Sequence, residues 1–369
     1  MNILNKEKNQ RIGIIGSGII GMSIAWKLSS NGFKVTLIDP HIHNKFNRLT
    51  PHNGTNASLG VLMGYIFKRE KGRSWELRKE SLDLWKNWPS MLNDQKEDLR
   101  IKTPLIKLAR SEEESDYLKV LCDKRKKLGL SFLDKETTIG NHLQWENNTF
   151  GGIISNNEGQ IDPILLQKCL MKVIKKNKVR LFDNEVELIE NKSNLLTKRW
   201  SVTMKNGEKI PFTTLIICAG VGSNKFLKQA GYKMRMEPIA GQAIEIKIKS
   251  NTNNWDGWPA VLSSEGINFI PNGPEKMIIG ATIEPGEYID NTAIRAMQAI
   301  DGKAPVWIQD AEITNQWNGI RARPINKPAP LLEKLEEGLL LASGHYRNGI
   351  LLAPVTAEWV AAEVMKEET

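Results

Sequence analysis

Ile12-Gly13-Ile14-Ile15-Gly16-Ser17-Gly18-Ile19-Ile20-Gly21 joins a branched apolar run to a glycine-rich turn, and its reading decides the fold. Residues 12–15 have the composition of a buried strand. Residues 19–30 carry helical periodicity through Ile20, Ser23, Ile24, Trp26 and Leu28, and Asn31-Gly32 ends that helix. Residues 35–38 form a second buried strand that ends at Asp39-Pro40. The unit is strand–turn–helix–strand, which implies parallel pairing through a right-handed crossover. In this setting Gly16-x-Gly18-x-x-Gly21 reads as a dinucleotide-binding turn. Gly16 permits the tight turn, Gly18 lets the backbone approach a pyrophosphate, and Gly21 lets helix and strand pack closely. The helix start at Ile20 supplies free N–H groups and the positive end of a dipole. Asp39, 21 residues after Gly18, can accept hydrogen bonds from both ribose hydroxyls.

Outward from this unit, 369 residues suggest about two domains. Apolar content of 40% and charged content of 25% are those of a globular chain, which excludes a disordered or fibrous protein. The net charge of +9 is spread along the sequence and mixed with acids. Runs such as Lys124-Arg125-Lys126-Lys127 therefore read as solvated helix surface, and no nucleic-acid partner is expected. Cys122, Cys169 and Cys218 are odd in number and lack metal spacing, so neither a disulfide framework nor a metal site is expected. His41 and His43 are neighbours without an evident third ligand, and His52, His142 and His345 lie apart. The first ten residues lack a signal-peptide core, and residues 12–26 are too short and glycine-rich to span a membrane. A cytoplasmic location without an integral membrane segment is the expectation; a homo-oligomer is left open.

Further along, residues 74–88, 112–128 and 164–176 read as helices, the last with Asp162 as N-cap and Pro163 in its first turn. Residues 179–189, 200–204 and 213–218 read as strands. Asn206-Gly207 marks a hairpin between the second and third. Residues 242–248, 260–263, 267–270 and 277–283 alternate as strands of a separate antiparallel sheet. Residues 339–342 form a late buried strand and 352–365 a final helix. There is a single full glycine fingerprint; Gly220-Val221-Gly222 is only a partial one. Electrons are thus expected from the substrate rather than from a nicotinamide.

Several segments carry a family resemblance. They are the N-terminal unit, Asn56-Ala57-Ser58-Leu59-Gly60-Val61-Leu62, Leu215-Ile216-Ile217-Cys218-Ala219-Gly220, Pro238-Ile239-Ala240-Gly241-Gln242, Gly280-Ala281-Thr282 and Gly344-His345-Tyr346-Arg347-Asn348-Gly349-Ile350-Leu351-Leu352-Ala353-Pro354. Together they resemble the D-amino-acid oxidase superfamily of FAD enzymes, and within it the glycine oxidases, over nearly the full length. The resemblance implies an α/β fold: a Rossmann-like FAD domain gathered from residues 1–88, 150–224 and 314–369. A substrate domain built on an antiparallel sheet would be gathered from 89–149 and 225–313.

By the same resemblance, Ala57, Ser58 and Gly60 lie against the flavin, and Val186, Ala219 and Gly220 lie on the adenine side. Gly344, Arg347, Asn348, Gly349 and Ile350 meet the flavin's pyrimidine end, where a helix N-terminus favours the reduced anion. Trp317-Asn318-Gly319-Ile320-Arg321 resembles the segment whose arginine clamps the substrate carboxylate, for which a guanidinium fork is suited. Register from Gly319 favours Arg321; register from Pro324 favours Arg323. Asn268 stands where relatives have an aromatic hydroxyl, and it retains a hydrogen-bond donor. The family's acidic turn is replaced by Asn326-Lys327-Pro328, and no cysteine lies in the C-terminal third, so FAD is expected to be non-covalent.

The expected reaction is oxidation of the C–N bond of a small amine or amino acid (glycine, sarcosine or a small D-amino acid). Hydride passes from Cα–H to flavin, and water hydrolyses the imine. Oxygen is the expected acceptor, with a role in thiamine biosynthesis implied. The alternatives are a dehydrogenase of D-amino or N-methyl amino acids that passes electrons to a quinone, and a non-catalytic FAD-binding subunit.

Overall fold

The computed structural model describes residues 11–44, 46–49, 54–93, 97–137, 139, 145, 150–192, 200–248 and 255–367. His52 and His142 lie outside the described residues. A six-stranded sheet orders its strands as Leu331–Glu336, Leu339–Ser343, Thr214–Ile217, Arg11–Ile15, Lys34–Ile38 and Arg180–Phe182. All neighbours pair in parallel except the first two, which form an antiparallel edge. Alternation along each strand feeds two cores, as the two-residue period demands. Ile12, Ile14, Leu37, Ile216 and Leu340 point into a core shared with the helices Ile19–Ser30, Pro163–Lys176 and Gly349–Lys366. Ile15, Ile38, Leu215, Ile217 and Leu341 point to the other face, onto a three-stranded antiparallel sheet. Gly13 belongs to that second face: a Cβ there would lie 2.8 Å from the Phe212 ring.

The three-stranded sheet corrects one expectation. Asn206-Gly207 joins Trp200–Met204 to Lys209–Phe212, not to the strand at 213–218. Lys209–Phe212 alternates exposed and buried residues and carries Pro211, as an edge strand tolerates. Thr214–Ile217 is buried throughout because it lies inside the parallel sheet. Likewise 179–189 is two strands: Arg180–Phe182 joins the parallel sheet and Val186–Asn191 the antiparallel one.

The second large sheet has nine strands. Met236–Lys247, Val261–Ser264, Ile267–Pro271 and Lys276–Gly280 pair mostly antiparallel, in the region read as the separate sheet. Three short strands extend it: Leu105–Leu108, Leu130–Leu133 and Gly152–Ser155. The long strand Glu312–Pro324 pairs with Met236–Lys247 along its length. Gly152–Ser155 and Glu312–Pro324 therefore sit in this sheet, although 150–224 and 314–369 are grouped by sequence with the dinucleotide-binding unit. Its core gathers Ile244, Ile246, Phe269 and Ile279 beneath the helices Ala293–Ala299 and Val306–Gln309. Asp162 caps the helix Pro163–Lys176 by accepting from the N–H groups of Ile164 (2.8 Å) and Leu165 (3.3 Å).

Candidate active site

A cavity of about 1040 Å³ runs from the C-terminal ends of the parallel strands to the nine-stranded sheet. It is at the top of the usual range for small-molecule sites. At one end lies the glycine turn. Gly16 has φ +107°, and a Cβ there would meet the Cys218 carbonyl at 2.7 Å. Gly21 is covered by the Gly16 carbonyl, which any Cβ would overlap. Gly18 differs: its nearest neighbour to an added Cβ is Thr55 Oγ1 at 3.3 Å, so this glycine opens onto the cavity. The Thr55 hydroxyl accepts from the Ile19 N–H at 3.0 Å, and no side chain of the helix's own N-cap closes its start. Asp39 Oδ2 accepts from the Ser17 N–H (2.8 Å) and Oδ1 from the His41 N–H (2.8 Å). The carboxylate is thereby fixed between turn and strand end, with lone pairs left for ribose hydroxyls.

Val186, Ala219 and Gly220 also line the cavity, Ala219 directly beside the turn, where its Cα lies 3.1 Å from a Cβ built on Gly16. Ser343 Oγ donates to the Gly220 carbonyl (3.2 Å), which ties Gly220 to the last parallel strand. Toward the second sheet, Ala57, Ser58 and Gly60 line the cavity. Their loop is pinned by Trp317 Nε1 donating to the Ala57 carbonyl (3.1 Å) and Arg48 Nη1 donating to the Ser58 carbonyl (2.9 Å). Gly344, Arg347, Gly349 and Ile350 line the cavity as well, where the helix Gly349–Lys366 starts without a side-chain cap and Gly349 faces Ile19. His345 lines the cavity too, but it is buried and its Nε2 meets Thr356 Oγ1 at 2.9 Å. Burial, helped by the charge of Arg73, lowers its pKa to about 3, so the ring is neutral.

Gly21 and Asn348 are the two sequence-predicted cofactor contacts that do not line the cavity. Gly21 serves helix packing against Gly16, and Asn348 precedes the last helix. The donor expected of Asn268 is also corrected. Asn268 lines the cavity, but its Nδ2 donates to the Gly280 carbonyl (3.3 Å), and its Oδ1 is enclosed without a partner. This orientation of the amide is set by the carbonyl it faces.

Arg321 and Arg323 lie on one strand but in different surroundings. Arg321 lines the cavity, and its Nη1 donates to the carbonyls of Thr282 (3.0 Å) and Ala240 (3.2 Å). Burial and then the charge of Arg347 lower its pKa to about 10, so it remains a cation at neutral pH. Arg323 does not line the cavity and is ion-paired with Glu237, its cross-strand neighbour. Sequence reading missed Gly241, which lines the cavity where the Arg321 guanidinium lies against its bare Cα; any Cβ there would overlap that group. A glycine inside a strand is the signal that such a close approach leaves. It also missed Thr55, and Glu287 at the exposed rim.

A glycine turn on a parallel sheet, a fixed acid at the second strand end and a cavity reaching a second sheet define a dinucleotide-binding oxidoreductase scaffold. The bare Gly18, which brings no side chain to the helix start behind it, suits the pyrophosphate of FAD, and the helix at Gly349, which starts without a side-chain cap, suits the flavin end. The chain belongs to the FAD dependent oxidoreductase (DAO) family, which it matches over residues 11–363. It is similar to glycine oxidase of Bacillus subtilis, 23% identical over 96% of this chain and 93% of that protein. It is also similar to the bifunctional protein ThiO/ThiG of Trichormus variabilis, 25% identical over 97% of this chain and 53% of that protein. The crystal structure of glycine oxidase from Geobacillus kaustophilus shares the fold, with TM-score 0.81 and 22% identity over 98% of this chain and 96% of that one. Among the described residues, no helix is long and apolar enough to cross a membrane, and no three His, Cys, Asp or Glu side chains gather as metal ligands.

Proposed function

We propose that this FAD-dependent oxidoreductase oxidises the C–N bond of a small amino acid, with Arg321 holding the substrate carboxylate. The observation that carries the reading is the Arg321 guanidinium, set in the cavity wall without a carboxylate partner among the described residues. Besides burial, the charge of Arg347, in the segment that leads to the helix at Gly349, lowers the pKa of Arg321. When bound, FAD supplies the acceptor for a hydride from the substrate's Cα–H. The protein's part is positional: two backbone carbonyls and the face of Gly241 hold Arg321, which orients the substrate by its carboxylate. The loop at Ala57–Gly60, pinned by Trp317 and Arg48, closes the other side.

Oxygen is the proposed acceptor. Imine from glycine is the proposed contribution to thiamine synthesis, supported by the similarity to the ThiO/ThiG protein. Asn268 is shorter than an aromatic residue and turned onto Gly280, so N-methylglycine or a small D-amino acid is proposed to react at least as well as glycine. The test is an anaerobic screen of glycine, sarcosine and small D-amino acids for bleaching of the flavin colour. Bleaching by one of them supports the reading, and peroxide on admitting air supports oxygen over a quinone. Reduction by any of them also removes the alternative of a non-catalytic FAD-binding subunit, and reduction by none overturns the small-amino-acid reading.

A further inference from the structure

A carboxylate offers about four lone-pair sites, and an arginine fork answers two of them. In an enclosed cavity the others stay costly unless a further donor reaches them. Several cavity side chains that could donate are already committed. Asn268 Nδ2 donates to the Gly280 carbonyl (3.3 Å), Ser343 Oγ donates to the Gly220 carbonyl (3.2 Å), and His345 Nε2 meets Thr356 Oγ1 (2.9 Å). Tyr346 is not committed. It lines the cavity half-buried, and its hydroxyl has no hydrogen-bond partner among the described residues.

The backbone shows how Tyr346 comes to lie there. Its φ is +53°, a left-handed conformation that aromatic residues rarely adopt. Gly344, two residues earlier, is also left-handed (φ +66°), and a Cβ there would lie 2.8 Å from Pro324 Cγ. The segment therefore runs tight against the end of the strand Glu312–Pro324, three residues from Arg321. The short turn Tyr346–Asn348 packs on the same strand. Carried this way, the segment buries His345 against the last helix and leaves Tyr346 half-buried in the cavity wall. Backbone strain of this kind collects where a side chain is aimed for function.

We infer that the Tyr346 hydroxyl donates to the substrate carboxylate beside Arg321. The loop before the last helix thus supplies the hydrogen bond that Asn268, turned onto Gly280, does not supply from the sheet. This rests on the carboxylate-clamp reading of Arg321. The arginine supplies the charge. The tyrosine fixes how the carboxylate is rotated in the fork, and with it the place of the Cα–H. A hydrogen bond to a charged group of this kind corresponds to about 10- to 100-fold in affinity.

The test is Tyr346→Phe, which removes the hydroxyl and keeps the ring and the backbone. The FAD-loaded protein is titrated with methoxyacetate, a non-oxidisable acid, and binding is read by perturbation of the flavin absorbance. The dissociation constant should rise by about 10-fold or more. KM for an amino acid that reduces the flavin should rise in step, with a smaller change in kcat and an unchanged FAD-to-protein ratio. On a matched amine without a carboxylate, kcat/KM should stay at the wild-type value. Methoxyacetate binding that survives Tyr346→Phe but is lost in Arg321→Ala overturns this inference and leaves the clamp standing. An equal loss on the amine without a carboxylate also overturns it, because the hydroxyl then serves the flavin or the fold. Binding that survives both substitutions, or is absent from the wild type, overturns the Arg321 reading and this inference together.

Discussion

Gly241 and Arg321 are in contact across paired strands, with the guanidinium lying where a Cβ on residue 241 would be. The position of the arginine therefore depends on the absence of a side chain two residues along the neighbouring strand, as well as on its carbonyl partners. Neither residue belongs to the glycine turn at Gly16–Gly21.

This relationship makes Gly241→Ala a selective lesion. The methyl group displaces Arg321 from the Thr282 and Ala240 carbonyls. A clamp moved by about 1 Å can cost about 100-fold in turnover efficiency. The expected outcome is a loss of that order in kcat/KM for amino acids, carried largely by KM, with a normal FAD-to-protein ratio. Steady-state kinetics and absorbance spectra on one preparation check it. Unchanged KM would mean that Arg321 does not orient the substrate from this seat.

Gly18→Val tests the pyrophosphate end. At Gly16 and Gly21 an added Cβ meets backbone, so those substitutions would disturb the fold itself. At Gly18 the protein leaves room apart from Thr55 Oγ1. Gly18→Val should therefore fold, with a wild-type circular dichroism spectrum, but lose FAD, because its branch occupies the space of the phosphates. A folded variant with full flavin content would refute the placement.

The first strand–turn–helix–strand was legible because its signals are local: a branched run, three glycines and an acid within 39 residues. The last helix and the strands at 261–280 were legible for the same reason, through periodicity and turns. Lys209–Phe212 was not, since Pro211 and a lysine disguise a four-residue edge strand. Leu105–Leu108 and Gly152–Ser155 were not either, because their strand character comes from partners far away in sequence. In the site, Arg321 and Arg323 could not be separated by spacing alone. What separates them is pairing: Glu237 lies opposite Arg323, while Gly241 opens a seat for Arg321.

Glu158 supplies a stability prediction outside the cavity. It is fully buried; Oε1 accepts from the Tyr65 N–H (2.7 Å) and the Gly64 N–H, and Oε2 has no hydrogen-bond partner among the described residues. Burial raises its pKa to about 7, against an ordinary 4.5. The folded state then binds more protons than the unfolded state between those values. The stabilising contribution is fully present below the unfolded pKa and is lost as pH rises through the folded one. Glu158→Gln keeps the acceptor for both N–H groups and removes the ionisation. Its melting temperature relative to wild type should therefore rise from pH 5 to pH 8.5, with a difference on the order of 2–3 kcal/mol between the two ends. Thermal melts of both proteins across that range check it; a constant difference would show that Glu158 does not titrate there.

The choice between the two arginines admits a direct comparison. Arg321 is held in the cavity wall, whereas Arg323 is half-exposed and paired with Glu237. An exposed pair of that kind contributes about 0–1 kcal/mol, so Arg323→Ala should change stability and turnover little. Removing a desolvated charge that holds a substrate anion costs about 2–5 kcal/mol. At ~1.4 kcal/mol per decade, that is roughly a thirty- to several-thousand-fold loss in kcat/KM. Arg321→Ala should show that loss on amino acids while FAD stays bound, because the glycine turn and the segment at Gly344–Ile350 are untouched. On a matched amine without a carboxylate the same variant should lose much less, since there is no anion to hold. The measurement is kcat/KM for both variants on the matched acid and non-acid amines. An acid-selective loss in Arg323→Ala and not in Arg321→Ala would mean that the substrate reaches the exposed arginine instead, and that the carbonyl-bound guanidinium serves only to brace the strands.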